Sequence, residues 1–185
     1  MIAFKGFNKD LACTLGNGTF QYEIGKTYEE AEANCAQNGF HCVEEPIMVL
    51  DWYPQGRWCM VDVQDYDESG NKIAGKRMTI LKELTLKQLL AHEAAWILKH
   101  PERTCSDLVA RNKGECNEKN GAVIVRGKDP KGRGELGSLI LLIKEAAKSC
   151  NVDKIVAWEI DGTEHLPSIW YGTEGRKCER KRCES

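Results

Sequence analysis

The sequence predicts an α+β protein with a mixed or antiparallel sheet, one main amphipathic helix and two packed modules. Short apolar runs typical of strands occur in both halves of the chain, and residues 85–99 carry apolar side chains at helical spacing. A chain of 185 residues is long enough for one ordinary domain or two very small ones. We expect an acidic N-terminal α+β module (1–82), followed by a module (83–185) with the helix, a cysteine-bearing loop and a basic β-rich part.

The N-terminal module is predicted to begin with two short strands within residues 2–24. Residues 27–38 are predicted to be a helix, because Thr27 and Glu30 have the spacing of a capping box and Gly39 follows as a stop signal. The remaining predicted elements are a strand at 40–43, a short helix at 46–53, and strands at 57–63 and 76–81.

The second module begins with the clearest helix of the sequence. Thr85 and Gln88 form a second capping-box pattern, Leu and Ile recur at helical spacing, and Pro101 closes the segment. We expect the apolar stripe of this helix to be buried between the two modules. Residues 102–120 are polar and predict a long loop that is either mobile or held by a metal. Strands are predicted at 122–125, at 154–160 and at 168–171, and residues 139–143 are either a strand or the first turn of a helix.

Charge is unevenly distributed along the chain. Residues 1–75 contain 5 Lys and Arg against 12 Asp and Glu, whereas residues 76–185 contain 21 against 16. This polarity predicts an acidic face and a basic face, which are either simply solvated or, for one of them, in contact with a charged partner.

Composition and cysteine content also indicate the cellular compartment of the protein. No apolar run approaches the ~20 residues that span a bilayer, and the first residues lack the pattern of an export signal. Nine cysteines cannot all pair within one chain. We therefore expect a cytoplasmic protein without membrane contact, in which the thiols stay reduced.

Motifs of catalysis and nucleotide binding are weak or absent. Residues 132–137 match GxGxxG, but the match begins well after the apolar strand that should precede it, which favours a glycine-rich turn. The sequence contains no HExxH and no GxSxG, so we do not expect an enzyme. A basic segment gives a possible contact with nucleic-acid phosphates, through Arg126, Lys128, Lys131 and Arg133.

Three N-terminal segments resemble an uncharacterised family that occurs in phages and prophages of Firmicutes. They begin with Lys5-Gly-Phe-Asn-Lys-Asp10 ("KGF-x-KD") and continue with Phe20-Gln-Tyr-Glu-Ile-Gly-Lys26 ("FQYE-x-GK"). The third is Gly39-Phe-His-Cys-Val-Glu-Glu-Pro46, which is similar to "GFH-(A)C-E-x-P". Weaker similarity continues near the C-terminus, in Pro167-Ser-Ile-Trp-Tyr171.

The resemblance implies a biological context more than a chemistry. Small phage proteins without catalytic motifs are often counter-defence factors that act by binding. We therefore expect an anti-CRISPR-like inhibitor that binds a host defence nuclease such as Cas9 stoichiometrically, with the acidic module occupying a basic channel.

Four cysteines lie outside the motifs shared with that family. They fall in two separate segments, and four thiolates are a typical set of structural zinc ligands. The alternative is four unrelated thiols. The predicted ligands are Cys105, Cys116, Cys178 and Cys183.

Two other functions stay open. The order of a "Lys-Gly" strand, then Gly39-Phe-His41, then a helix and an apolar strand is similar to ADP-ribosyltransferase-like folds. That similarity implies NAD⁺ as the cofactor and a catalytic glutamate, which the sequence does not identify. The third function is a nucleic-acid-binding accessory protein that uses residues 126–133 and the basic tail.

Overall fold

The computed structural model describes four stretches of the chain, residues 1–14, 18–35, 37–102 and 106–175. The chain divides into two compact units, an N-terminal unit (Met1–Trp96) and a C-terminal unit (Ile97–Ser185). The predicted module boundary at residue 82 precedes the main helix, whereas this division falls inside it. No helix of the described stretches is long and apolar enough to cross a membrane.

The N-terminal unit is built on one antiparallel sheet of five strands, in the order β4-β7-β5-β1-β6. Strands β6 and β7 also pair with each other, so the sheet closes on itself. A separate short pair joins β2 and β3. The strands are β1 (Ile2–Phe7), β2 (Ala12–Cys13), β3 (Phe20–Gln21), β4 (Thr27–Glu29), β5 (Phe40–Val43), β6 (Arg57–Ser69) and β7 (Lys72–Leu84).

Alternation along these strands places one side of the sheet in the core. On β6, for example, Cys59, Val61 and Val63 are all buried, whereas the residues between them are partly exposed. A period of two is what a strand with one buried face requires. The core also contains Ala3, Phe7, Leu11, Tyr22, Phe40, Cys42, Ile73, Met78 and Ile80.

Two of the three predicted helices are confirmed. A 3-10 turn (Pro46–Met48) leads into α1 (Val49–Trp52), and the main helix is α2 (Leu86–Lys99). Its capping box is confirmed, since the Gln88 N–H donates to Thr85 Oγ1 at 3.2 Å and the Thr85 N–H donates to Gln88 Oε1 at 2.9 Å. The placement of its apolar stripe between two modules stays a prediction.

The C-terminal unit has a different sheet, in the order β11-β10-β9-β8. Strands β8, β9 and β10 are parallel, and β11 pairs antiparallel with β10. Together with the antiparallel N-terminal sheet, this confirms the α+β class with mixed and antiparallel pairing. The strands are β8 (Val109–Cys116), β9 (Ala122–Gly134), β10 (Leu139–Glu145) and β11 (Val152–Glu159).

The parallel strands are joined by links of only a few residues, although parallel pairs normally need a crossover of a dozen or more. Here the chain bends within a strand, so it returns beside itself without a separate crossover segment. Residues of β8 pair with residues 15 to 18 positions further along, as in Val109 with Ile124 and Lys113 with Lys131. Between these pairs β8 turns a corner at Asn112, whose φ of 60° lies in the left-handed region. The chain therefore stacks in coils, as in a β-solenoid.

Two glycines of the GxGxxG match are required by this coil. A Cβ at Gly132 would lie 2.4 Å from Ile140 Cγ2, and a Cβ at Gly134 would lie 2.1 Å from Ser138 Oγ. Gly137 has a φ of +82° in the turn before β10. The segment is thus the end of a strand and a tight turn, in agreement with the glycine-rich turn favoured by the sequence.

Three predicted elements are wrong. The described residues of the segment 27–38 do not form a helix, because Thr27–Glu29 pair with β7 as strand β4, and this pairing overrides the local capping signal. The predicted loop at 102–120 contains strand β8. The predicted strand at 168–171 is reduced to an isolated bridge between Tyr171 and Gly132.

A buried ion pair holds the C-terminal unit together. Arg126 is 1% exposed, and its Nε donates to Glu145 Oε1 at 2.9 Å. The same guanidinium donates to the carbonyl oxygens of Cys150, at 2.8 Å, and of Pro101. Arg111 also contacts Glu145 Oε1, at 3.3 Å. Arg126 thereby ties strand β9 to the start of the unit and to the turn after β10.

We predict that Glu145→Gln lowers the free energy of unfolding by about 3 to 5 kcal/mol, because it leaves the Arg126 charge buried without a carboxylate. The matched control is Glu115→Gln, which removes the partly exposed pair with Arg133 and should cost less than about 1 kcal/mol. Urea unfolding followed by circular dichroism measures both. Equal losses in the two variants would contradict this role of the buried pair.

Candidate functional site

The N-terminal unit contains a pocket of about 720 Å³. It lies beside strands β1 and β5, which are neighbours in the sheet. Side chains from α1 and from the segment 18–22 complete its wall. This volume falls within the range of small-molecule sites in proteins.

A buried lysine lines this pocket. Lys5, in the middle of β1, is 8% exposed, and its Nζ donates a hydrogen bond to the His41 carbonyl oxygen at 2.6 Å. Its other close neighbours are aromatic rings, since Nζ lies 5.6 Å from the centroid of Phe7 and 5.4 Å from that of Tyr22. No carboxylate of the described residues forms an ion pair with it. A buried ammonium with only carbonyl and ring partners can accept an anion.

Aromatic side chains of Phe20, Tyr22 and Phe40 line the pocket, and Tyr28 packs against them. The rings of Phe20, Tyr22, Tyr28 and Phe40 contact one another, with centroids 4.7 to 6.2 Å apart. Burial strongly raises the pKa of the Tyr22 phenol, so it stays neutral at any physiological pH. Such a cluster offers flat apolar surface to a ring of a ligand.

Trp52 stands at the exposed side of the pocket. It is 36% exposed, and its ring lies 5.7 Å from Lys72 Nζ. Both residues line the pocket. The site therefore has a second cation and a further indole face at its entrance.

The polar groups of the pocket come from separate parts of the chain. Burial, followed by the charges of Lys5 and Lys72, lowers the pKa of His41, so its imidazole is neutral at pH 7. Glu30 lines the pocket and its Oε2 accepts the Gly39 N–H at 3.1 Å. Burial raises the pKa of the Cys42 thiol to about 12. A thiol with this pKa is protonated and is not a nucleophile at neutral pH.

Of the four predicted zinc ligands, the structure describes only Cys116. Cys105, Cys178 and Cys183 lie outside the described residues. Cys116 is 7% exposed, packs in the core of the C-terminal unit, and its thiol donates to the Glu118 carbonyl oxygen at 3.4 Å. The four-cysteine site therefore stays a prediction.

A different group of side chains of the types that can bind a metal lies in the turn after β11. Ligand atoms of Asp161, Glu164 and His165 lie within 4.8 Å of one another. Asp161 Oδ1 accepts the N–H groups of Thr163, at 2.7 Å, and of His165, at 3.1 Å. The His165 ring stacks on Trp158 with centroids 4.9 Å apart. Turn capping and ring stacking thus account for this arrangement.

The basic segment predicted to contact phosphates requires one correction. Arg126 is buried in its pair with Glu145 and does not face solvent. Lys128 donates to carbonyl oxygens of the turn after β10, Lys131 lies 3.0 Å from Asp129, and Arg133 pairs with Glu115. Contact of these three residues with nucleic acid stays a prediction.

An aromatic side chain does lie among these charges in space. The Trp170 ring lies 4.1 Å from Lys113 Nζ and 4.9 Å from Arg133 Cζ. The sequence alone shows no aromatic residue interleaved with the basic segment, because Trp170 is distant in the chain. The two cations already contact its ring, so this group is explained by cation–π packing.

Comparison with known protein families matches the N-terminal part of the chain. Residues 1–92 match the family model described as Domain of unknown function (DUF7666). The match covers just under half of the chain and includes every residue named above as lining the pocket. No curated protein matches the chain, and no solved structure matches it. The similarity to an uncharacterised family is thereby supported for the N-terminal unit.

The pocket was not predicted from sequence. Its residues extend from Phe4 to Lys72, and no spacing rule relates them. One signal was present, since Lys5 interrupts the otherwise apolar segment of β1. Lys5 lies on the face of β1 that the alternation directs into the core. A lysine at such a position indicates a buried charge with a functional or structural role.

We predict that protein purified without a metal-affinity tag contains about one zinc per chain, because four thiolates form a closed tetrahedral site. Cys116→Ser should lose this zinc in elemental analysis. The control is Cys150→Ser, which alters an exposed cysteine outside the predicted set and should keep the metal. A zinc content that is zero in the wild type, or unchanged in Cys116→Ser, would rule out the predicted ligand set.

Proposed function

We propose that the N-terminal unit is an ADP-ribosyltransferase-like domain that binds an anionic nucleotide in its pocket, with NAD⁺ as the first candidate. The observation that carries this proposal is the Lys5 ammonium, which lines the pocket, is 8% exposed and has no carboxylate partner among the described residues. An anion in the pocket would supply the missing charge.

The side chains that line the pocket match the phosphate, the heterocycle and the ribose of such a nucleotide. A lysine is a common partner of phosphate oxygens, and the rings near Phe20 and Tyr22 offer a face on which a flat heterocycle can stack. Glu30 is the carboxylate of the described lining. When the bond between ribose and nicotinamide breaks, positive charge develops on the sugar, and a nearby carboxylate stabilises that charge, as in glycosidases.

The position of the pocket also supports the proposal. The similarity to ADP-ribosyltransferase-like folds involves a "Lys-Gly" strand, the segment Gly39-Phe-His41 and the helix after it. Lys5 and Gly6, residues 39–41, and Val49 and Trp52 of α1 all line the same pocket. Segments that are separate in sequence thus meet at one site.

We predict that NAD⁺ binds to the wild type in isothermal titration calorimetry and binds at least about tenfold more weakly to Lys5→Met, because one charge-assisted contact is lost. The matched control is Lys9→Met, which removes an exposed lysine outside the pocket and should bind as the wild type.

Turnover distinguishes an enzyme from a binding domain. An ethenoadenine analogue of NAD⁺ reports cleavage by its fluorescence, and Glu30→Gln should abolish cleavage while NAD⁺ still binds. Binding without any cleavage would limit the proposal to ligand binding. Equal affinity of wild type and Lys5→Met, or no affinity in either, would contradict the proposed site.

A second candidate is the nuclease inhibitor, and the exposed acidic residues of the N-terminal unit favour it. We propose that these residues occupy a basic channel of a Cas9-type nuclease. The distal half of β6 is exposed and carries Asp65, Asp67 and Glu68. The Asp67 Oδ2 accepts the Cys35 N–H at 3.0 Å, which fixes the position of this carboxylate.

We predict that equimolar protein inhibits DNA cleavage by Cas9 and that the double variant Asp65→Asn, Glu68→Gln loses at least about tenfold in potency, because steering and contact by opposite charge are weakened. Lys9→Met serves as a control without acidic change. Full cleavage in the presence of excess wild-type protein would exclude Cas9 as the target.

A further inference from the structure

The pocket is lined by side chains from both faces of the N-terminal sheet. On β1, Ala3 and Phe7 belong to the core inside the closed sheet, and Lys5 lies between them, so it points inward as they do. Phe4 points the other way, since its ring lies 5.3 Å from the ring of His92 on α2. Lys5 and Phe4 nevertheless line the same pocket, which is therefore reached from both faces.

Strand β5 shows the same division. Phe40 and Cys42 belong to the core inside the closed sheet, whereas Val43 lies on the opposite face, as does its partner on β7, Lys72. The Lys72 Nζ lies 5.7 Å from the ring of Trp52 on α1. All five residues line the pocket. The pocket thus has an inner part, inside the closed sheet, and an outer part, on the face that carries α1.

A gap between β1 and β5 joins the two parts. Within the described residues, β1 and β5 share one Cα pair, Phe4 with Val43, whereas every residue from Ile2 to Phe7 pairs with β6. Where the ladder between β1 and β5 would continue, the His41 carbonyl oxygen instead accepts the Lys5 Nζ, at 2.6 Å. A ligand can therefore extend between the two strands, past the Lys5 ammonium.

Each part of the pocket has an aromatic ring that is open to a ligand. Phe20, in the inner part, is 42% exposed, and Trp52, in the outer part, is 36% exposed. The rings that support Phe20 are buried, since Tyr22 and Phe40 are only 5% and 2% exposed. A large ring left partly exposed in a concave site is a suitable surface for stacking a heterocycle.

The Lys5 ammonium lies between these two exposed rings. On the inner side, its Nζ lies 5.4 Å from the centroid of the Tyr22 ring, the neighbour of the exposed phenyl ring. On the outer side, the next residue of β1, Gly6, packs against Tyr53, which follows the exposed indole in sequence. A Cβ at Gly6 would lie 2.6 Å from Tyr53 Cδ2. The order of groups across the pocket is therefore ring, cation, ring.

We propose that the pocket binds a dinucleotide across the gap between β1 and β5, with its diphosphate at Lys5 and one heterocycle in each part. One heterocycle stacks on Phe20 and the other on Trp52, beside the Lys72 cation. This two-sided site rests on the proposed function, which requires only an anionic nucleotide, and adds that both rings of the ligand are bound. NAD⁺ has this order of groups, whereas AMP and nicotinamide mononucleotide each have one ring and one phosphate.

The experiment measures the affinities of NAD⁺, AMP and nicotinamide mononucleotide by isothermal titration calorimetry. The wild type should bind NAD⁺ at least about tenfold more tightly than either mononucleotide, because the second half of a linked ligand binds intramolecularly. Trp52→Ala and Phe20→Ala should each weaken NAD⁺ binding about tenfold, which corresponds to the loss of one stacked base. Each variant should also weaken the binding of one mononucleotide only, and a different one in each variant.

The matched control is Tyr66→Ala. It removes a ring that is 44% exposed on β6, outside the pocket, and should bind all three ligands as the wild type does. If Phe20→Ala does not fold, as judged by circular dichroism, the wild type and Trp52→Ala decide the question. NAD⁺ that binds no more tightly than a mononucleotide, or NAD⁺ binding that Trp52→Ala leaves unchanged, would overturn the two-sided site.

The same titrations separate this inference from the proposed function. Equal affinities for the three ligands, all lowered by Lys5→Met, would keep the anionic nucleotide site and remove the second ring position. Absence of binding by all three ligands would remove the proposed function, and the two-sided site with it.

Discussion

A lysine ammonium held out of water, without a carboxylate beside it, is the constraint on which the account of the N-terminal unit depends. Strand β1 places Lys5 in the wall of a closed sheet, where the His41 carbonyl and the rings of Phe7 and Tyr22 are its partners. Desolvation of a charge is expensive, so such a position is typically compensated by an ion pair or a ligand. The pocket beside it leaves room for the ligand.

The buried charges of the two units contrast with each other. In the C-terminal unit, Arg126 meets the carboxylate of Glu145 and two carbonyl groups, and this pair needs nothing further. In the N-terminal unit, Lys5 lacks a carboxylate and Glu93 lacks a cation among the described residues. Complete compensation is typical of a structural role, whereas the incomplete compensation of Lys5 at a pocket is the feature on which the proposed binding site rests.

Local signals predicted local structure well. The capping box at Thr85 and Gln88 located the start of α2, because both of its hydrogen bonds form within one turn. The same type of signal at Thr27 was misleading, since Thr27–Glu29 gain more by pairing with β7 than a short isolated helix would gain. Strand β8 was hidden because its corner at Asn112 and its exposed charged residues break the alternation of a strand.

The candidate site depended on contacts that no local pattern encodes. The sequence shows Lys5 and Glu30 but not that they line one pocket. That pocket exists only because β1 and β5 are neighbours in the closed sheet. Glu93 was not singled out from the sequence, although it lies four residues after Leu89 and four before Ile97 and so shares their face of α2; only the structure shows that it is buried and bonded to Ile47. Charge counts, by contrast, indicated the acidic character of residues 1–75 without any structure.

The most direct test of the central claim is NMR detection of the Lys5 side-chain ammonium during titration with NAD⁺. Its Nζ protons are shielded from water and should give a signal that Lys5→Met lacks. The account predicts that this signal shifts in proportion to bound nucleotide, because an anion becomes its partner. A Lys5 signal that does not move while NAD⁺ binds, or no change at saturating NAD⁺ in any signal of the N-terminal unit, would contradict it.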